Sequence, residues 1–229
     1  MSYSKSRFSW DLYKTVESSF LDFLEYVPLT REHGNVASPK LLTLILQIGS
    51  YVDTTFKHMA QYELLTDPNV QKIRSKLKKP TRSNVTIKDC RVAFEPIYKL
   101  SEREVMVKSQ SFFYPKSTQP IKTEFFTKII PFSEFKQDKS PKWWRIFTGL
   151  KHYSLERIKD ANMKNTLGAL AGLFLLNVID PQNWCEMAWE SVEGSLRQDT
   201  RTFEPTFAST QLFYFKWKEK THVICPEET

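Results

Sequence analysis

Apolar positions recur at helical spacing through most of the chain. Over 10–27, Trp10, Tyr13, Val16, Phe20, Phe23, Leu24 and Val27 fall on one stripe, as residues three and four apart do on a helix. Ser9 is placed to cap this helix and Pro28 to end it. Ser38-Pro39 gives a second start, an N-cap residue followed by proline in the first turn. The helix it opens is expected over 39–65, with the nearly continuous apolar run 41–48 in the core and Thr66-Asp67-Pro68 as the stop. A third helical pattern covers 86–100, with Pro96 as its kink or break. The texture then changes. Segments 104–114 and 122–131 are rich in Val, Phe, Ile and Thr and are separated by a loop with two prolines, which predicts a β-hairpin or small sheet.

The helical pattern returns over 141–179, around which the rest of the chain is organised. Pro141 suits a first helical turn, and Trp143, Phe147 and Leu150 share a face up to His152. A second helix is expected over 160–179, with Asp160 as N-cap. Its Gly168 and Gly172 each cost about 1 kcal/mol relative to Ala in a helix interior, which predicts the close passage of another backbone. Its apolar run, 167–179, is shorter than a bilayer span needs. Beyond Asp180-Pro181, a short helix is expected over 183–193. The alternating aromatic run 211–217 reads as a strand that could join the sheet of the insertion. The expected architecture is mainly α and a single domain, 1–229. Its helical core is about 10–65 and 141–195, residues 66–140 are an insertion, and 201–225 form a strand-like tail.

Composition narrows the classes. The 229 residues and 41% apolar content suffice for one sizeable core. Only 6 Gly are present, against a Gly-rich nucleotide fold. The net charge of +7 favours acidic partners or simply a lysine-rich surface. Six basic residues, Lys72, Arg74, Lys76, Lys78, Lys79 and Arg82, occur between 72 and 82 without an acid. They are a candidate nucleic-acid contact, or a solvated helix end, since no aromatic residue is interleaved for base stacking. The 3 cysteines are scattered, so neither a zinc site nor a disulfide framework is expected, and a reducing cytoplasm suits them. No cofactor, no metal and no membrane association is expected.

Phosphate-cradling glycine loops, HExxH and GxSxG are absent from the sequence. Among the 4 histidines, His152 is singled out because Arg145 precedes it by seven residues, about 20° out of register on a helix. A histidine can take the proton of a ribose 2′-hydroxyl near neutral pH. An arginine can hold the charge that develops on the phosphoryl oxygens. Together they cleave RNA without a metal, leave a 2′,3′-cyclic phosphate, and spare DNA. Asp53 and Lys57 form an i,i+4 pair on the second helix, by itself a surface ion pair worth a few tenths of a kcal/mol.

Arg145, six residues, then His152 resembles the Arg–x4–6–His hallmark of the HEPN superfamily of helical RNases and nucleotide-binding modules. The surrounding WWRIFTGLKH and ANMKNTLGALAGLFLL are similar to prokaryotic members. Asp53-Thr-Thr-Phe-Lys57-His58 resembles the family's Glu-x3-Lys-Arg motif, with Asp for Glu and His for Arg. Ile146 departs from the polar residue that often follows the arginine. The resemblance implies a HEPN-like antiparallel helical bundle. It also implies Arg145 and His152 as catalytic residues, with Asp53 and Lys57 supporting them. A homodimer through 141–179 is implied as well, with small Thr148 and Gly149 permitting close approach. The function expected is a metal-independent endoribonuclease of the kind found in defence or toxin systems. The alternative is a non-catalytic helical module that binds a protein, nucleotide or nucleic acid.

Overall fold

A computed structural model describes residues 5–78, 85–108, 128–153, 156–187, 192–197, 202–218 and 223–224. Its centre is the helix Met163–Ile179. Apart from Lys164 and Gly168, every residue of this helix is buried. A helix that is apolar all round has no face for water and must be enclosed. Four further long elements do the enclosing: α1 (Lys5–Leu24), α2 (Pro39–Ala60), α5 (Lys142–His152) and the sheet. Between α2 and α5 come α3 (Pro68–Leu77) and α4 (Ile87–Tyr98); the central helix is α6, and α7 (Pro181–Met187) follows it.

The helix starts follow local chemistry. Ser38 Oγ accepts the Leu41 N–H at 3.1 Å, with Pro39 beginning α2. Thr86 and Asp89 form a capping box at α4, and Pro96 is accommodated inside that helix. Three boundaries differ from expectation. α1 begins at Lys5, so Ser9 lies within it and donates to Asn177 Oδ1 of α6 at 2.9 Å. α2 stops at Ala60 because Arg74 of α3 takes its terminal carbonyls: Nε to Ala60 O at 3.0 Å, Nη2 to Tyr62 O at 2.7 Å. α6 is capped by Asn162, whose Oδ1 accepts the Asn165 N–H at 3.1 Å. Asp160 is held by Arg157 Nε at 2.8 Å instead.

The glycines of α6 receive a side chain and not a backbone. A Cβ at Gly172 would lie 2.9 Å from Cζ2 of Trp143, and one at Gly168 would lie 3.8 Å from its Cδ1. The indole fills that trough and donates Nε1–H to Pro131 O at 2.7 Å. Gly49 of α2 does the same for Phe147, whose ring lies 2.3 Å from where a Cβ would be. These two contacts seat α5 between α2 and α6.

The sheet is antiparallel, in the order β2-β1-β5-β4-β3, with β6 also on β4. Its strands are β1 (Val105–Val107), β2 (Lys128–Ile129), β3 (Val192–Arg197), β4 (Thr202–Ser209), β5 (Phe213–Lys216) and β6 (Val223–Ile224). The tail strand β5 pairs with β1, Met106 opposite Tyr214, so the tail and the insertion share one sheet. Phe213 stacks on Phe174 of α6, ring centroids 5.4 Å apart. Residues 109–127, most of the expected hairpin, lie outside the described residues. The helix expected over 183–193 ends at Met187, and Glu193 is in β3. The ladder shifts register between Glu193 and Gly194, where a Cβ would sit 2.3 Å from Glu204 O.

A buried carboxylate ties the sheet to α1. Glu17 is 5% exposed. It accepts hydrogen bonds from Tyr13 Oη at 2.7 Å, from Leu212 N at 3.1 Å and from Thr210 Oγ1. Burial pushes the Glu17 carboxyl above its ordinary range against the pull of these donors, and pushes the Tyr13 phenol up as well.

Candidate functional site

Arg145 and His152 are both exposed residues of α5. The amphipathic pattern that buries Trp143, Trp144, Ile146, Phe147 and Leu150 against the core turns Arg145 outward. His152 closes the helix. Seven residues separate the pair by about 10 Å along the axis. Arg145 Nη1 donates to Ser140 O at 2.6 Å, and His152 lies near Tyr153, ring centroids 6.3 Å apart. Asp160, an acid that could have neutralised Arg145, is taken by Arg157, whose Nε at 2.8 Å and Nη2 at 2.7 Å both reach its Oδ2. The Arg157 guanidinium also lies over Gly149, with Nη1 1.9 Å from an added Cβ. The small site expected to admit a partner copy is therefore filled by the chain's own arginine.

Asp53 and Lys57 pair with each other on α2, both partly exposed. Their neighbour His58 makes a contact that no local pattern announces. Its Nδ1 lies 3.3 Å from Oδ2 of Asp180, a carboxylate 1% exposed. Asp180 also accepts the Gln182 N–H at 3.1 Å. In the sequence Asp180 reads as a turn residue before proline. Only the fold brings it against a histidine 122 positions away.

The basic run divides. Arg74 caps α2, as above. Lys76 Nζ pairs with Asp89 Oδ1 at 2.9 Å, joining α3 to α4. Lys72 is exposed and reaches Asn69 Oδ1 at 3.4 Å. Lys78 is exposed at the end of α3. Lys79 and Arg82 lie outside the described residues. Two of the six cations thus hold the fold, which leaves a sparser charged surface than the sequence suggests.

Elsewhere, two cavities are lined by described residues. One, of about 260 Å³, opens between α1 and α2 and is lined in part by His58. The other, of about 170 Å³, flanks β1 and β5 among Arg103, Glu104, Lys216 and Lys218. Glu104 is engaged there by Lys128 at 2.5 Å. Among the described residues no cluster of three or more His, Cys, Asp or Glu side chains forms a metal site. None of their helices is long and apolar enough to cross a membrane. Cys90 is buried in α4, and burial raises its thiol far above the ordinary value, so it is unreactive at neutral pH. The fold defines a mainly helical protein with a small antiparallel sheet. No family model, curated protein or solved structure matches the chain.

Proposed function

We propose that this protein is a metal-independent endoribonuclease of the Arg/His type, resembling the HEPN superfamily. One observation carries the reading: Arg145 and His152 stand exposed on one face of α5, with no acid among the described residues bound to either. An exposed arginine without a carboxylate partner keeps its fork for phosphate. An imidazole on the same face can serve as a base near neutral pH. In this reaction His152 removes the ribose 2′-hydroxyl proton and O2′ attacks the adjacent phosphorus. The 5′-oxygen leaves with a proton, and Arg145 stabilises the phosphoryl oxygens. About 10 Å of helix lies between the two positions. One scissile phosphate is served either by convergence of both side chains or by α5 of a second copy.

The test is incubation of purified protein with mixed RNA in EDTA, beside Arg145→Ala and His152→Ala. The expected outcome is cleavage by the wild type to 2′,3′-cyclic ends and loss of at least about a hundredfold in rate for His152→Ala, with unchanged thermal unfolding. Cleavage that survives in His152→Ala, or that EDTA stops, overturns the assignment. A second reading, a helical module that binds RNA without cutting it, is favoured by the position of Arg145 and His152 outside both cavities. It predicts a salt-dependent complex without turnover in the same samples.

A further inference from the structure

The cavity between α1 and α2 is a second site, separate from α5. Its walls are apolar and aromatic: Phe8 and Leu12 come from α1 and Tyr51 from α2. Gln61 and three hydroxyl side chains are among its polar positions, and the three hydroxyls share one property. Thr54 Oγ1 donates to Ser50 O at 3.0 Å, Thr55 Oγ1 to Tyr51 O at 2.9 Å, and Ser9 Oγ to Asn177 Oδ1 at 2.9 Å. With their hydrogens engaged inside the fold, these hydroxyls offer lone pairs to a ligand. His58 follows the same logic. An ionised carboxylate only accepts, so the contact with Asp180 favours the neutral tautomer that carries its hydrogen on Nδ1. In that tautomer Nε2 is an acceptor, and it makes no hydrogen bond among the described residues. Lys57 at the rim is drawn to Asp53, so it adds no free positive charge at the mouth.

We infer that this cavity binds a neutral planar heteroaromatic ring carrying an N–H or O–H donor, with the ring between Phe8 and Tyr51 and the donor on the acceptors set by His58 and its neighbouring hydroxyls. Aromatic walls favour a flat ring by stacking. The volume, about 260 Å³, suits one or two fused rings. Acceptors that a ligand covers without pairing are costly, so selectivity falls on the donor. Asp180 acts here as a positioning residue, holding His58 in one tautomer.

Indole and N-methylindole are the probes, since they differ in the single N–H. Titration of the full chain by calorimetry and two-dimensional NMR is expected to give saturable indole binding, with N-methylindole weaker by about tenfold or more. Indole is expected to shift the Nε2 resonance of His58 and the signals of Tyr51. Leu12→Trp fills the cavity without touching the His58–Asp180 bond and is expected to abolish binding. His58→Phe is expected to erase the preference for indole over its methylated analogue. Equal affinity for the two probes, no binding at millimolar concentration, or indole binding retained in Leu12→Trp would each overturn the proposal.

Discussion

At the scale of single residues, Glu17 and the glycines make opposite points about space and charge. Burial raises the folded-state pKa of Glu17 above its ordinary value. The folded protein therefore binds this proton more tightly than the unfolded chain does. The resulting stability is fully present below the unfolded pKa and is lost as pH rises from the ordinary carboxylate range through the raised value. Glu17→Gln keeps the accepting oxygen for Tyr13, Thr210 and Leu212 but removes the ionisation. Its chemical denaturation midpoint is expected to vary less with pH across that window than the wild type's. Glu17→Ala instead leaves the buried Leu212 N–H unpaired and the Tyr13 hydroxyl with only Thr210 Oγ1 at 3.2 Å, and is expected to cost about 1–3 kcal/mol. The glycines separate by what a methyl group would meet. At Gly172 it meets Cζ2 of Trp143, a ring pinned by its bond to Pro131 O. Gly172→Ala is therefore expected to destabilise by roughly 1–3 kcal/mol. At Gly149 it meets the mobile end of Arg157, which can swing aside. Gly149→Ala is expected to be neutral or stabilising by up to about 1 kcal/mol. Urea titration of the two variants distinguishes these outcomes.

At the scale of elements, the helices were legible because each carries its own instruction. Ser38-Pro39 and Thr86 with Asp89 state where a helix begins, and the stripe Trp10–Tyr13–Val16–Phe20 states which face it buries. α6 was legible as a core helix, yet its enclosure on all sides was not. That depends on Trp143 entering at Gly172 and on Phe213 arriving from the far end of the chain. The short strands were harder to place. Two or three residues, as in β1, β2 and β6, carry too little alternation to separate from a helix edge, and the helix expected over 183–193 overlaps β3 only at its first two residues. The candidate site divides in the same way. The spacing of Arg145 and His152 is local and survives folding as a shared helix face. The His58–Asp180 pair is made only by tertiary contact, so the sequence shows two ordinary polar residues. The basic run fails as a continuous patch for the complementary reason, since composition cannot reveal that a cation is already engaged. Arg74 tests this. Its guanidinium satisfies carbonyls that the end of α2 leaves open. Arg74→Ala is expected to destabilise the protein by about 1–3 kcal/mol, and to change RNA affinity at fixed salt less than Lys72→Ala and Lys78→Ala combined. Thermal unfolding and a salt-resolved binding titration measure the two effects.

At the scale of the whole molecule, burial limits how two copies can meet. α6 is enclosed by its own chain, so an association through 141–179 falls on the outer row of α5 and on the exposed residues after it, Tyr153, Glu156 and Lys159 among them. The outer row of α5 carries Lys142, Arg145, Lys151 and His152, all exposed, and Gly149 is covered by Arg157. A two-fold interface places each row against its own copy. Like charges are then opposed at short range, a net repulsion that a small contact does not overcome. On the proposed nuclease reading RNA would change the balance, because a phosphate between the rows would convert repulsion into two attractions. Salt acts in the same direction more weakly: the screening length is about 10 Å at 0.1 M and about 3 Å at 1 M. Dimers formed through α5 are therefore expected to be scarce at low salt without RNA. Adding a short RNA at low salt should increase them, and raising salt without RNA should increase them less. Lys151→Glu, which makes each row mixed in sign, is expected to promote the RNA-free dimer. Sedimentation velocity at two salt concentrations, with and without a non-cleavable 2′-deoxy oligonucleotide, reads all three. A dimer that is already complete at low salt and indifferent to Lys151→Glu would place the contact on another face, and Arg145 and His152 would then act from a single copy.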